Sequence, residues 1–131
     1  MQGRLIVMIA GLGTDMIEVD RVAERVGRGS GFKELVFSKT EIEYCEGRAN
    51  KFQHYAARFA AKEAFFKALG TGWLNGTAFN EVEIWNDENG KPGIKILGET
   101  AKKLEAENIL RISVSLSHVK SMATAVVIIE K

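Results

Sequence analysis

Between Phe52 and Leu69 the chain spells a helix whose apolar stripe is interrupted by charge. Phe52, Tyr55, Phe59, Phe66 and Leu69 recur at helical spacing, which predicts one buried face. Lys62 and Glu63 sit in or beside that stripe, with Phe59 a turn before and Phe66 a turn after. Charge at the edge of a core, in a chain that obeys local rules elsewhere, points to a functional site. Gly70-Thr71-Gly72 stops the helix, because glycine takes the left-handed C-cap conformation without strain.

The remaining segments are read around that helix. Leu5 to Leu12 is an apolar run flanked by glycines, which predicts a strand. Val19, Val22 and Val26 predict a helix, and Gly27, Gly29, Ser30 and Gly31 a mobile loop after it. Ser38-Lys39-Thr40-Glu41 is a capping box, so another helix starts near Lys39. Val82 and Ile84, then Ile94 and Ile96, alternate with polar residues around Asn89-Gly90, a hairpin signal. Glu99 to Glu107 reads as a short amphipathic helix. Ile112, Val114 and Leu116 alternate with Ser113, Ser115 and Ser117. Met122 to Ile129 is nearly all apolar and should be a central strand. Helices grouped ahead of most strands predict an α+β fold with an antiparallel sheet. The expected organisation is one domain over residues 1–131, with 1–8 a short N-terminal extension.

Composition narrows the classes. With 46% hydrophobic and 27% charged residues over 131 positions, an ordinary globular core is within reach. A net charge of +1 argues against a bulk nucleic-acid binder. No run approaches the ~20 apolar residues of a membrane span. A single cysteine, Cys45, cannot form an internal bridge, and its acidic neighbours Glu43 and Glu46 would not activate a thiol. A cytoplasmic protein is expected.

Two carboxylates carry the chemical reading. Asp15 follows Gly11, Gly13 and Thr14 at the end of the predicted strand, where the glycines allow a sharp turn. It is either a helix N-cap or a metal ligand. Glu63 is either the partner of Lys67, four residues on, or the second ligand. Two carboxylates with room left for phosphate oxygens and water suit Mg²⁺, and Mn²⁺ accepts the same hard donors. Arg58, Lys62 and Lys67 would add positive charge, so a diphosphate is the indicated ligand. His118 closes a strand whose polar face is serine, and is either structural or a phosphate or proton contact. No nucleophile elbow supports a serine–histidine pair there. Trp73 and Trp85 read as core rather than as a cofactor box.

These residues occur together in one known family. Gly11 to Glu18, Arg58 to Phe65 with Lys67 to Gly72, Asn89-Gly90-Lys91-Pro92 and Ser115-Leu116-Ser117-His118 stand in the same order and spacing. In this respect the chain, from about Ile9 onward, closely resembles the small bacterial 4′-phosphopantetheinyl transferases, the holo-[acyl-carrier-protein] synthases. The resemblance implies their fold, with an antiparallel sheet packed on a long helix. It implies transfer of 4′-phosphopantetheine from coenzyme A to a serine of apo-acyl carrier protein, releasing adenosine 3′,5′-bisphosphate. Carried over by position, Asp15 and Glu63 would hold Mg²⁺, and Lys62 and Lys67 would contact phosphate oxygens. Lys67 would offset leaving-group charge, His118 would meet the phosphate region, and Gly70 and Pro92 would lie near the nucleotide. The base is a metal-bound water or one of the carboxylates, with a water between Mg²⁺ and Glu63 preferred. Arg21 and Arg28 match basic positions and would dock the acidic carrier protein. The family also implies a homotrimer with sites between subunits, and a setting in fatty acid biosynthesis. Phe66 departs from relatives that have a small polar residue there. A non-catalytic carrier-protein or nucleotide-binding module, or a metal-dependent phosphohydrolase of nucleotides, are the competing readings. The first would most easily have lost Asp15, Glu63, Lys62 or Lys67, and the second needs no basic helix face.

Overall fold

The computed structural model describes residues 6–72 and 74–131. Among the described residues, five strands and five α-helices follow in the order β1 (Ile9–Glu18), α1 (Val19–Gly27), α2 (Phe32–Val36), α3 (Lys39–Glu46), α4 (Lys51–Leu69), β2 (Val82–Asn86), β3 (Pro92–Ile96), α5 (Gly98–Lys103), β4 (Arg111–His118) and β5 (Met122–Glu130). β1, β5 and β4 form an antiparallel sheet in that order, and β2 pairs with β3 in a separate hairpin. The fold is α+β, and the apolar β5 is central, as its composition requires.

α4 is the hub. Twelve of its nineteen residues are buried, so it is enclosed on several sides instead of along one stripe. Small side chains make this possible. Ala60, Ala61, Ala64 and Ala68 pack with Phe65 against Val127 and Ile129 of β5 and Val82 and Ile84 of β2. Tyr55, Ala56, Ala57 and Phe59 pack against Val19, Val22 and Val26 of α1 and Phe37. The helix ends at Gly70 with φ +82°, the left-handed cap that the Gly-Thr-Gly exit predicts.

Three local expectations change. β1 runs from Ile9 to Glu18, well past Leu12, so Asp15 lies inside a strand paired with Ala125 and caps no helix. The start of the predicted strand, at Leu5, lies outside the described residues, as does Trp73. Gly11 and Gly13 do not make a turn. A Cβ on Gly11 would stand 1.8 Å from the Ala68 carbonyl oxygen, and one on Gly13 would stand 2.0 Å from that of Ala64. The glycines let β1 lie directly on the α4 backbone. Finally, the glycine-rich stretch after α1 is a short turn into α2, whose Phe32 ring meets Phe37 at 6.4 Å and Phe59 at 6.1 Å. Isolated periodicity over five residues is too short to announce such a helix.

The capping box at α3 is formed in full: Ser38 Oγ accepts from the Glu41 amide, and the Glu41 carboxylate accepts from the Ser38 amide. The hairpin turns at Gly90, with φ +84°, where Asn89-Gly90 predicts it. The helix read over Glu99 to Glu107 divides into α5 and a 3₁₀ turn, Glu105–Glu107, ending at Asn108 with φ +55°.

Candidate functional site

The alternation of β1 sends Asp15 to the face that packs on α4 and leaves Leu12 and Met16, 66% and 65% exposed, on the other face. Contact between β1 and the α4 backbone then sets Asp15 beside Lys67. Lys67 Nζ donates to Asp15 Oδ1 at 2.9 Å and to the Thr14 carbonyl at 3.0 Å. Lys67 thus pairs with Asp15, and no ion pair with Glu63 is formed. Glu63 is half-buried, and its pKa is raised by burial and then by the Asp15 charge, against the opposing effect of Lys67. Two carboxylates close enough to repel are held beside one lysine. Such a pair of hard oxygen donors, short of positive charge, is of the kind that a divalent cation accepts.

Lys62 is elsewhere, and the expectation that it contacts phosphate is corrected. Its side chain is fully buried. Its ammonium donates to Glu41 Oε1 at 2.7 Å, the Phe79 carbonyl at 2.8 Å and the Val82 carbonyl at 2.6 Å. All three N–H bonds are spent inside the fold. A residue one step along a helix points about 100° away, so Lys62 meets α3 and β2 while Glu63 meets β1. Arg58 shares the Lys62 face, so its charge stands away from Asp15 and Glu63. It is buried, stacks on Tyr44 with its guanidinium carbon 4.1 Å from the ring centroid, and donates to Asn86 Oδ1 at 2.6 Å.

His118 lies apart from the Asp15–Glu63–Lys67 cluster, in a pocket of about 200 Å³ with Arg58, Pro92, Tyr44, His54 and Asn86. Its Nδ1 is 2.8 Å from Gln53 Oε1, and its ring meets His54 edge-on at 5.0 Å. Gln53 and Lys67 stand at opposite ends of α4, roughly 21 Å apart along its axis. The fold therefore unites Asp15, Glu63, Lys67 and the helix end at Gly70, and separately unites His118 with Pro92. Residue reading missed Tyr44, Arg48 and His54. Arg48 stacks on Tyr44 at 4.2 Å, on the same ring as Arg58. Spacing of four within Tyr44–Arg48 and within His54–Arg58 is a faint signal, but only packing brings the two pairs together.

On the remaining surface, Arg21, Arg25 and Arg28 are exposed along α1 and its C-cap. Arg28 pairs with Glu24.

A long buried helix on an antiparallel sheet, with two carboxylates and a lysine gathered near its C-terminal half, defines the class of this protein. Comparison identifies that class. Residues 11–126 match the model of the 4′-phosphopantetheinyl transferase superfamily. A holo-[acyl-carrier-protein] synthase of Ruminiclostridium cellulolyticum is 49% identical over 120 residues, 90% of each chain. The crystal structure of the Neisseria meningitidis holo-[acyl-carrier-protein] synthase superposes with a TM-score of 0.86 at 34% identity, over 95% of this chain and all of that one. That of Bacillus anthracis, in complex with CoA (3′,5′-ADP), gives 0.78 at 32% identity, over 95% and 98%. The chain belongs to the 4′-phosphopantetheinyl transferase superfamily, and within it to the holo-[acyl-carrier-protein] synthases, which are transferases.

Proposed function

We propose that the chain transfers 4′-phosphopantetheine from coenzyme A to a serine hydroxyl of apo-acyl carrier protein, releasing adenosine 3′,5′-bisphosphate. The observation that carries this is the Asp15–Glu63–Lys67 constellation, in which coupled carboxylates and one cation meet on a half-buried surface. Coenzyme A in the Bacillus anthracis and Helicobacter pylori relatives supports the choice of donor.

Asp15 and Glu63 are the residues that would hold Mg²⁺, or Mn²⁺ in its place. The ion, when bound, supplies charge neutralisation at the diphosphate. The acceptor serine oxygen attacks the phosphorus that carries pantetheine, and the phosphorus–oxygen bond to the nucleotide half breaks. A water held beside Glu63 is suited to take the serine proton. Lys67, 53% exposed, offsets the negative charge on the departing phosphate. Gly70 caps the helix end beside this group, and Pro92 and His118 line the pocket suited to the nucleotide. Lys62 positions α4 from inside.

The Asp15–Glu63–Lys67 cluster and the His118 pocket lie toward opposite ends of α4, and a homotrimer with sites between subunits would let one ligand reach a cluster and a pocket on neighbouring chains. The outward sheet face, with Leu12, Met16 and Val126 exposed, is the surface proposed to close it. Arg21 and Arg28 receive the acidic carrier protein, and the setting is lipid biosynthesis in the cytoplasm. No helix among the described residues is long and apolar enough to cross a membrane.

The test is the mass of apo-acyl carrier protein after incubation with the protein, coenzyme A and Mg²⁺. A gain of one phosphopantetheine, lost with chelator and with Glu63→Gln, is expected. Coenzyme A binding without any gain would overturn the transferase in favour of a binding module.

A further inference from the structure

Three residues lining the His118 pocket can be cationic, namely His54, Arg58 and His118 itself, and none is a carboxylate. Arg58 contributes a buried guanidinium whose Nε has no hydrogen-bond partner, an orphan donor that an anion oxygen would satisfy. His54 is the least expected member. Tyr44 of α3 meets its ring edge-on at 5.6 Å, and His118 of β4 meets it at 5.0 Å. Arg58 on its own helix and Arg48 on the connection from α3 complete the charged surroundings, while Asn86, Gly90 and Pro92 of the hairpin are neutral. Burial, then the charges of His118, Arg58 and Arg48, hold the His54 pKa down at about 4.

We propose that His54 is a proton-coupled ligand for phosphate: its ring, beside the unpartnered Arg58 Nε and His118, takes a proton from solvent when the ribose phosphate monoester of coenzyme A enters the pocket. The inference rests on reading this pocket as part of the coenzyme A site. Its physics is linkage. The same cations that suppress the imidazolium are offset by an entering dianion, so the protonated form gains a partner where it had only repulsion. A phosphate monoester is nearly all dianion above its second pKa of about 6, so the proton comes from water and ends on His54. Affinity therefore falls as pH rises, by up to about tenfold per unit. A ligand without the monoester does not recruit the proton, which makes His54 a residue that discriminates coenzyme A from its dephosphorylated precursor.

The chain has only two histidines, so each ring can be followed separately by nuclear magnetic resonance. The intact protein is titrated with coenzyme A and with 3′-dephospho-coenzyme A at about pH 7.5, above the ordinary histidine range. Calorimetry in buffers of different ionisation enthalpy counts the protons exchanged. With coenzyme A, the His54 ring should move to its imidazolium position with close to one proton taken up. With the dephospho compound it should stay neutral, and His54→Gln should lose the pH slope of coenzyme A affinity. Tight binding of coenzyme A with a neutral His54 ring and no proton uptake overturns the proposal alone. Equal affinity for both ligands, unchanged by Arg58→Ala, overturns the subsite reading and the proposal with it.

Discussion

Gly13 shows how one missing atom places a carboxylate. Its absent Cβ lets β1 touch the α4 backbone at Ala64, and that contact brings Asp15 within reach of Lys67. Gly13→Ala should push strand and helix apart, with a cost of about 1–3 kcal/mol seen in thermal or denaturant unfolding. Because Asp15 moves with the strand, phosphopantetheine transfer should fall further than stability does. Wild-type melting in that variant would show that the close approach is not needed. The glycines were legible in the sequence as special, but a turn was the natural reason for them. Only the path of α4 across β1 reveals that contact, and no pattern along the chain encodes it.

Elements are tied together by a buried ion pair. Glu41 of α3 accepts from Lys62 of α4 and from the Ile84 amide of β2, while Lys62 also holds the Phe79 and Val82 carbonyls. Burial pulls the Lys62 pKa down and Glu41 opposes that effect, so the charge persists only with its partner. Glu41→Ala should therefore destabilise the fold by about 3–5 kcal/mol, since it strands an ammonium in the interior. Adding Lys62→Met to Glu41→Ala removes the stranded ammonium and should recover part of that loss in urea unfolding, the rest reflecting the Ile84 amide and the Phe79 and Val82 carbonyls left without partners, and a double variant less stable than the single would refute the account. Lys62 stood out in the sequence as a charge in an apolar stripe, and the resemblance pointed it at phosphate. A stripe shows which residues share a side, but it does not show that α3 and β2 occupy that side with carbonyls and a carboxylate. The α1 face was more readable, because exposed arginines need no tertiary partner to be counted. Reversal of Arg21 and Arg28 to glutamate should weaken carrier-protein binding by about tenfold or more and leave coenzyme A affinity nearly unchanged. Equal loss of both, measured by calorimetry, would remove the docking assignment.

At the scale of the molecule, the sheet has one face on α4 and one face bare. Leu12, Met16 and Val126 are exposed there, flanked by the serines of β4. Light scattering should give three times the chain mass, and Met16→Lys with Leu12→Lys should yield a smaller species with little transferase activity. A fully active monomer would exclude sites shared between chains.

The sequence by itself determined the α+β class, the capped α3, the long α4 with its glycine exit, the hairpin at Asn89-Gly90 and the central β5. Each of these depends on periodicity, a cap or a turn residue acting within a few positions, which is the range over which local physics decides. It also determined that Asp15, Glu63 and Lys67 were the residues to watch. Tertiary structure alone decided that β1 runs through Asp15, that Lys62 and Arg58 turn inward, and that His118 meets His54 in a pocket shared with Tyr44 and Arg58. Those outcomes depend on which element covers which face of α4, and burial is settled by the whole packing arrangement at once.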